Sequence, residues 1–144
     1  MANLNGAVKF LKGLDSVQKA RIGSIGWCFG GGKSLKLGIH NPEVDVVVIY
    51  YGQLVNDPEV LKGISGAVLR QFGANDRHPS PEQVAACQVG LKAAGKGCEI
   101  YSYGAASHAF ANHTGTRYNK DAADKAWERT ITSLSGHLKG PVDE

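Results

Sequence analysis

The stretch that decides the fold is RIGSIGWCFGGG, residues 21–32 of the 144-residue chain. Its first six residues predict a short β-strand, and a glycine-rich turn leads on to a helix expected over about residues 34–40. Cys28 therefore lies where a strand turns sharply into a helix. Gly26 and Gly30 flank it, two residues away on either side. The spacing G-x-C-x-G after a strand is typical of a nucleophile held in a strained turn, where flanking side chains would collide.

Cys28 gains reactivity from such a position. A helix N-terminus carries partial positive charge, which favours the thiolate form of a cysteine. The backbone N–H of Phe29 is then the expected donor to a developing oxyanion. The alternative for Cys28 is a small buried apolar side chain, which is what free cysteines often are. For Cys87 and Cys98, one on the apolar face of a helix and one in a strand, core packing is the preferred interpretation.

Helical and extended patterns alternate outward from this turn. The predicted strands are residues 21–26, 44–51, 67–72 and 98–103, and the predicted helices are residues 3–17, 34–40, 57–62, 81–95 and 119–138. Ser80, Pro81 and Gln83 form a capping-box start for the fourth helix. Strands separated by helices predict a parallel sheet with right-handed crossovers. The predicted fold class is α/β, with about four parallel strands flanked by helices in one domain of residues 1–144.

Two further reactive side chains follow predicted strands. Asp76 comes after the third strand and His108 after the fourth, and in an open α/β sheet reactive groups gather at the carboxyl ends of the strands. With Cys28 they give the chain order nucleophile, acid, histidine. Taken singly, Asp76 could be a turn residue and His108 a structural loop histidine. The remaining histidines have simpler explanations, two near helix C-termini and two in loops (His40, His137, His78 and His113).

Composition narrows the possible partners. Apolar residues make up 42% and charged residues 20% of the chain, an ordinary balance for a soluble globular protein. The net charge of +3 is spread without a basic stripe, so nucleic acid is not an expected partner. No segment suggests a secretory signal or a membrane span. Three cysteines without zinc spacing suggest reduced thiols in the cytoplasm, and neither a metal nor a cofactor is expected.

Several separated segments resemble the dienelactone hydrolase family of the α/β-hydrolases. They are residues 26–32, 72–76, 103–110, Tyr118 and residues 124–130. The resemblance runs to about Leu138 but covers only the C-terminal half of the family's structured core. It implies that Cys28 is the nucleophile, His108 the general base and Asp76 the acid that orients it. It also implies a small-molecule ester or lactone as substrate.

The part of the family that does not match would supply further pieces of the site. These are the second oxyanion-hole donor and contacts to the substrate's carboxylate. Asn112 stands where the dienelactone enzyme has an arginine, and Gly66 where the family often has proline. Trp27 and Asn112 are the candidate substrate contacts. Strand 21–26, central in the full fold, would become an exposed edge, so we expect a homodimer that covers it.

Three functions follow, in order of preference. The first is a hydrolase of esters or lactones that uses Cys28, Asp76 and His108, with low activity if no second oxyanion donor is present. The second is a non-catalytic or weakly active half-domain that serves as a dimeric scaffold or small-molecule binder. The third is a glutaminase-like amidotransferase, which also uses a G-x-C-x-G turn. That family has His-x-Glu late in the chain, whereas here the residue two positions after His108 is Phe110.

Overall fold

The computed structural model describes residues 1–139, so the last residues of the predicted domain, 140–144, lie outside the described part. Helices and strands alternate in the described chain as expected. Their bounds are α1 Ala2–Lys12, β1 Gly23–Trp27, α2 Phe29–His40, β2 Val46–Tyr50, α3 Pro58–Leu61, β3 Ala67–Gly73, α4 Pro81–Ala93, β4 Glu99–Tyr103 and α5 Lys120–Leu138. The capping box of α4 is confirmed, because Ser80 and Gln83 exchange hydrogen bonds between side chain and backbone.

The four strands form one parallel sheet in the order β1-β2-β3-β4. This confirms the predicted α/β class with four parallel strands. β2 and β3 are central, and every residue of Val46–Tyr50 is buried, as expected for a strand covered on both faces. β1 and β4 are the two edges. Because all strands run in the same direction, the residues that follow β1, β3 and β4 all lie at the same end of the sheet, where the strands have their carboxyl ends.

The two faces of the sheet carry different cores. Side chains such as Val47, Ile49 and Val68 point to one face, where aliphatic residues of α2 and α4 pack against them. Val48, Tyr50 and Leu69 point to the other face, which α5 covers. The alternation follows from the two-residue repeat of a strand. The α5 face also holds a chain of buried hydrogen bonds through Tyr50, Thr130, Gln71, Tyr103 and Arg129.

The helix α5 is confirmed within one residue of its predicted bounds, but only part of the apolar pattern that predicted it faces the sheet. Leu134 packs against the core, and Leu134 and Leu138 lie over Gly23 of β1. Trp127 and Ile131 are about half exposed, whereas Ala126 and Thr130 are fully buried. Small and polar residues face the sheet because α5 packs closely there and Thr130 takes part in the hydrogen-bond chain. At 19 residues α5 is longer than the other described helices, yet none of the helices within residues 1–139 is apolar enough over sufficient length to cross a membrane.

Helix α2 begins five residues earlier than predicted. The run of glycines after Cys28 is helical rather than a loop, so α2 starts at Phe29 instead of Ser34. Close packing of the start of α2 explains why the low helix propensity of glycine is overridden, since a Cβ at Gly31 would lie 3.0 Å from the carbonyl oxygen of Tyr50. Helix α1, by contrast, ends at Lys12 instead of residue 17, and Val8 is its one buried residue.

Candidate active site

Cys28 occupies the tight turn between β1 and α2. Its backbone has φ of 51° and ψ of −116°, a strained conformation for a residue with a side chain. Its N–H donates to the carbonyl of Tyr50 at 2.9 Å, which ties the turn to the neighbouring strand. A Cβ at Gly26 would lie 2.2 Å from the carbonyl oxygen of Gly30, so the turn requires glycine at position 26. The same expectation for Gly30 was wrong, because a Cβ there meets nothing within 4 Å.

The structure brings Cys28, His108 and Asp76 into one chain of contacts. Nε2 of His108 lies 3.2 Å from Sγ of Cys28, and Nδ1 lies 2.8 Å from Oδ2 of Asp76. A carboxylate can only accept hydrogen bonds, so Nδ1–H donates to Asp76 and Nε2 is left to accept from the thiol. The sequence separation of Cys28 and His108 is 80 residues. The fold alone therefore brings this thiol, imidazole and carboxylate together.

Asp76 is held more tightly than its position in a loop suggested. Its side chain is 2% exposed, and its other oxygen, Oδ1, accepts from the backbone N–H of His78 at 2.9 Å. Both oxygens therefore have a donor, which fixes the carboxylate in one orientation. A fixed carboxylate in turn holds the imidazole of His108 in the orientation and tautomer that direct Nε2 toward Cys28.

The loop that carries His108 is anchored by Phe110. This side chain is fully buried, with its ring centroid 5.2 Å from that of Tyr103 and 5.3 Å from that of Tyr51. The N–H of Asn75 donates to the carbonyl of Ala106 at 2.9 Å, which joins the loops after β3 and β4. The buried ring and this backbone bond place His108 over the end of β3, within reach of Asp76.

Tyr51 directly follows β2 beside the site, and no functional role was predicted for it. Its φ of 38° is unusual for a residue other than glycine, and its ring centroid is 5.2 Å from that of His108. Burial raises the pKa of Tyr51 to about 12, with smaller contributions from the nearby Tyr50 and Cys28. The phenol is therefore neutral at physiological pH and supports one face of the imidazole. Its position directly after a buried strand was the signal that could have identified it.

A cavity of about 440 Å³ opens beside Cys28 and His108. Phe29 and Tyr51 give it aromatic walls. Its polar walls are uncharged amides and one further imidazole, contributed by Gln53, Asn56, Gln83 and His78. Sequence reasoning missed these polar residues because three of them precede or begin helices whose docking to the site is a tertiary effect. The volume suits a small organic molecule.

Of the other predicted site residues, one lies at the cavity and two do not line it. Phe29 is the first residue of α2, so its N–H has no partner within the helix and is available beside Cys28. Trp27 is not among the described residues that line the cavity; it stacks on Tyr50 with ring centroids 5.3 Å apart. Asn112 is not among them either, since its Oδ1 accepts from the backbone and hydroxyl of Thr114. Both remain predictions as substrate contacts.

Within residues 1–139, no group of three or more His, Cys, Asp or Glu side chains is arranged to hold a metal ion. The titratable groups at the site instead contact one another in pairs, as described for Cys28, His108 and Asp76. This arrangement can activate the thiol through the imidazole beside it. The imidazole can then pass the proton to a molecule bound in the cavity.

Curated relatives match nearly the whole chain. A protein named "Putative carboxymethylenebutenolidase" from Methylorubrum extorquens is 31% identical over 138 residues, covering 90% of this chain and 47% of that protein. One of the same name from Saccharolobus solfataricus is 32% identical over 131 residues, covering 89% and 49%. The chain thus spans about half the length of the curated relatives it matches.

Solved structures share the fold. One titled "Putative Dienelactone Hydrolase" from Klebsiella pneumoniae subsp. pneumoniae superposes with a TM-score of 0.86 at 24% identity, covering 93% of this chain and 59% of that one. A "Dienelactone Hydrolase-like Promiscuous Phospotriesterase" from metagenomic libraries gives 0.82 at 22% identity, with 93% and 59% covered. The model of the dienelactone hydrolase family matches residues 1–138. This chain, with its cysteine at the turn after β1, belongs to the dienelactone hydrolase family.

Proposed function

We propose that the protein hydrolyses esters or lactones through a covalent thioester on Cys28. The observation that carries this proposal is the continuous chain of contacts from Sγ of Cys28 through His108 to the buried carboxylate of Asp76. The cavity beside the thiol gives room for a small substrate. The family adds support, since curated relatives are named carboxymethylenebutenolidase and another is named as a lactonase.

The reaction has two steps. The Cys28 sulfur attacks the carbonyl carbon, its proton passes to Nε2 of His108, and the carbonyl oxygen becomes an oxyanion near the N–H of Phe29. When the tetrahedral intermediate collapses, the bond to the leaving oxygen breaks and His108 protonates that oxygen. His108 then removes a proton from water, the resulting hydroxide attacks the thioester, and the acid is released with return of the proton to sulfur.

Stabilisation of the oxyanion is the step of this mechanism for which the chain supplies the fewest groups. One donor, the N–H of Phe29, comes from the start of α2. Losing one donor of an oxyanion hole typically costs about 100- to 1000-fold in turnover. We therefore expect acylation of Cys28 by activated esters to be measurable, while turnover by this chain alone is slow.

The test is trapping of the acyl-enzyme. With 4-nitrophenyl acetate, the protein should release nitrophenol in a burst and gain one acetyl group on Cys28, located by mass spectrometry of peptides. Cys28→Ala should lose the burst and fall to the background rate, a loss of about 10³-fold or more. Cys98→Ala is the matched control, because it removes a half-buried thiol outside the cavity and should leave the burst unchanged. Equal rates in wild type and Cys28→Ala would refute the proposal.

We also propose a homodimer. β1 is an edge strand, and Trp27, Trp127 and Ile131 are about half exposed. Exposed strand edges and large apolar side chains are usually covered in native proteins. A second copy can cover them around a two-fold axis. Sedimentation at micromolar concentration should give the mass of two chains, and Ile131→Glu should shift the equilibrium toward monomer. A monomer for the wild-type chain would contradict this part of the proposal.

The proposal includes two broader points. The chain is taken to act as one domain over residues 1–144, in a reducing compartment such as the cytoplasm, since the thiol of Cys28 must stay reduced to react.

The alternative function is a weakly active half-domain that binds a small molecule in the same cavity without forming a thioester on Cys28. Ligand binding without acetylation of Cys28 would favour that alternative.

A further inference from the structure

Arg70 is a fully buried cation in the central strand β3, where its exposed fraction is 0%. Its Nη1 donates to Sγ of Cys87, whereas its Nε and Nη2 have no hydrogen-bond partner. No carboxylate pairs with it within residues 1–139. Burial of a guanidinium without a counter-charge is costly, so packing alone does not account for this side chain. Its contact with Cys87 indicates where its role lies.

Cys87 connects Arg70 to the backbone of another segment. Its side chain is 1% exposed, among the residues of α4 that pack against the sheet, and Sγ lies 3.0 Å from the carbonyl oxygen of Val55. A carbonyl oxygen can only accept, so the S–H of Cys87 donates to it. The guanidinium that donates to the same sulfur polarises the thiol and strengthens this second bond. Arg70, Cys87 and Val55 thus form a chain of hydrogen bonds.

Val55 belongs to a segment, residues 52–56, that forms part of the wall of the Cys28 cavity. Gln53, Leu54 and Asn56 line that cavity. The segment contains no helix or strand, and it forms no backbone–backbone hydrogen bond with any described residue. The bond from Cys87 to Val55 is the one hydrogen bond that the segment forms within residues 1–139. This part of the wall therefore has its polar anchor at Cys87.

The segment also packs against α4 one turn beyond Cys87. A Cβ at Gly90 would lie 2.3 Å from the carbonyl oxygen of Asn56, so the helix and the segment touch there. Gln83, in the first turn of the same helix, lines the cavity itself. Helix α4 thus contributes one residue to the wall and holds the segment that contributes three others.

We propose that Arg70 and Cys87 are positioning residues for the wall of the Cys28 cavity, which they hold through the carbonyl of Val55. The inference rests on the proposed function, which places the substrate in this cavity. Neither side chain is among the described residues that line the cavity, so both act through the segment. The contact between Cys28 and His108 is made elsewhere, after β1 and β4. Loss of the chain should therefore weaken substrate binding and leave the acylation step unchanged.

Acylation kinetics separate these two effects. Rapid mixing with 4-nitrophenyl acetate at several concentrations gives the dissociation constant of the substrate and the rate constant of the burst. Cys87→Ala removes the S–H donor, so the dissociation constant should rise about three- to tenfold, as expected for one lost hydrogen bond, at an unchanged rate constant. Cys87→Ser keeps a donor and should restore binding to within about twofold of wild type.

Cys98→Ala is the matched control, because it removes a half-buried thiol that forms no hydrogen bond to the segment. It should leave both constants unchanged. An unchanged dissociation constant in Cys87→Ala, a loss confined to the rate constant, or a failure of Cys87→Ser to restore binding would overturn the proposal.

Arg70→Met tests the first bond of the chain. Methionine fills apolar space and removes the donor to Cys87, so the dissociation constant should rise about two- to fivefold. Arg70→Met/Cys87→Ala should bind the substrate no more weakly than Cys87→Ala, because both substitutions break the same chain. Additive losses in the double variant would overturn the part assigned to Arg70.

A readout without catalysis keeps this proposal separate from the hydrolase proposal. Backbone ¹⁵N relaxation gives order parameters for residues 53–56, which should fall in Cys87→Ala and recover in Cys87→Ser, while those of residues 105–108 stay constant. If this pattern is found and Cys28 is never acylated, the positioning role stands and the hydrolase proposal fails. If Cys28 is acylated but neither the order parameters nor the dissociation constant changes in Cys87→Ala, the hydrolase proposal stands and the positioning role fails.

Discussion

On one side of Cys28 lies an imidazole held by a buried carboxylate; on the other side lies a single backbone N–H at the start of a helix. The His108 side is built from two loops joined by hydrogen bonds and a buried phenylalanine, and every partner comes from this chain. The Phe29 side depends on one turn, at the edge strand of the sheet. In the proposed mechanism, the described residues therefore supply the groups for proton transfer but only one donor to the oxyanion.

Removing the base should have the largest effect on the His108 side. His108→Ala removes the imidazole that contacts Sγ of Cys28, so hydrolysis of 4-nitrophenyl acetate should fall by about 10³-fold or more. His113→Ala is the matched control, because His113 is an exposed loop histidine that does not line the cavity. Similar rates for the two variants, measured as kcat/KM, would mean that His108 is not the base.

A smaller loss of kcat/KM is expected when the carboxylate of Asp76 is replaced. Asp76→Asn keeps the size of the side chain but places an amide opposite Nδ1, which favours the tautomer with the proton on Nε2. We expect kcat/KM to fall by about 10²-fold. Asp124→Asn removes an exposed carboxylate that pairs with Lys120 on α5 and should leave kcat/KM unchanged. A full rate in Asp76→Asn would show that orientation of the base does not depend on this carboxylate.

The turn on the Phe29 side can be tested with two matched glycines. Gly26→Ala should lower the free energy of unfolding by about 3 kcal/mol or more, because its methyl would overlap the Gly30 carbonyl. Gly30→Ala has open space in a helix and should raise it by up to about 1 kcal/mol. Urea unfolding measures both. If the two variants shift the urea midpoint by the same amount, the tight turn at Cys28 does not require glycine at position 26.

Tyr51, which lies between the two sides, should give the smallest effect. Burial raises its pKa in the folded protein from 10.0 to about 12. The folded state thus retains the phenol proton longer than the unfolded state. The resulting stabilisation is complete below pH 10 and is lost as the pH rises from about 10 to about 12.

The measurement compares Tyr51→Phe with wild type. Across that window the wild type should lose stability relative to Tyr51→Phe, as seen in thermal unfolding at several pH values. Tyr50 and Tyr103, whose pKa values burial also raises, are present in both proteins and cancel in the difference. Tyr118→Phe is the control at an exposed position. A constant difference from pH 9 to 12 would contradict burial as the cause.

Sequence reasoning worked where local signals and burial agree. The run Val46–Tyr50 is apolar because both of its faces are covered, so the strand was evident. The capping box at Ser80 is a local hydrogen-bond pattern, so the start of α4 was predicted correctly. Cys28, Asp76 and His108 follow strand ends in a parallel sheet, and the topology alone brings such positions together.

It failed where packing against distant elements decides. Trp127 and Ile131 belong to the apolar pattern of α5 yet face outward, since buried Thr130 takes part in a hydrogen-bond chain with strands far away in sequence. The open space beside Gly30 and the early start of α2 depend on how that helix lies against β2.

The strand order has a consequence for synthesis. Because β1, β2, β3 and β4 are adjacent in the order in which they are made, each new unit can dock on those already formed. Cys28 is made 80 residues before His108, so the growing chain carries its thiol at the end of β1 without a base. His108 reaches Cys28 only after β4 and its loop have folded onto β3. A nascent chain that stalls before β4 therefore carries Cys28 without the imidazole that contacts it in the folded protein.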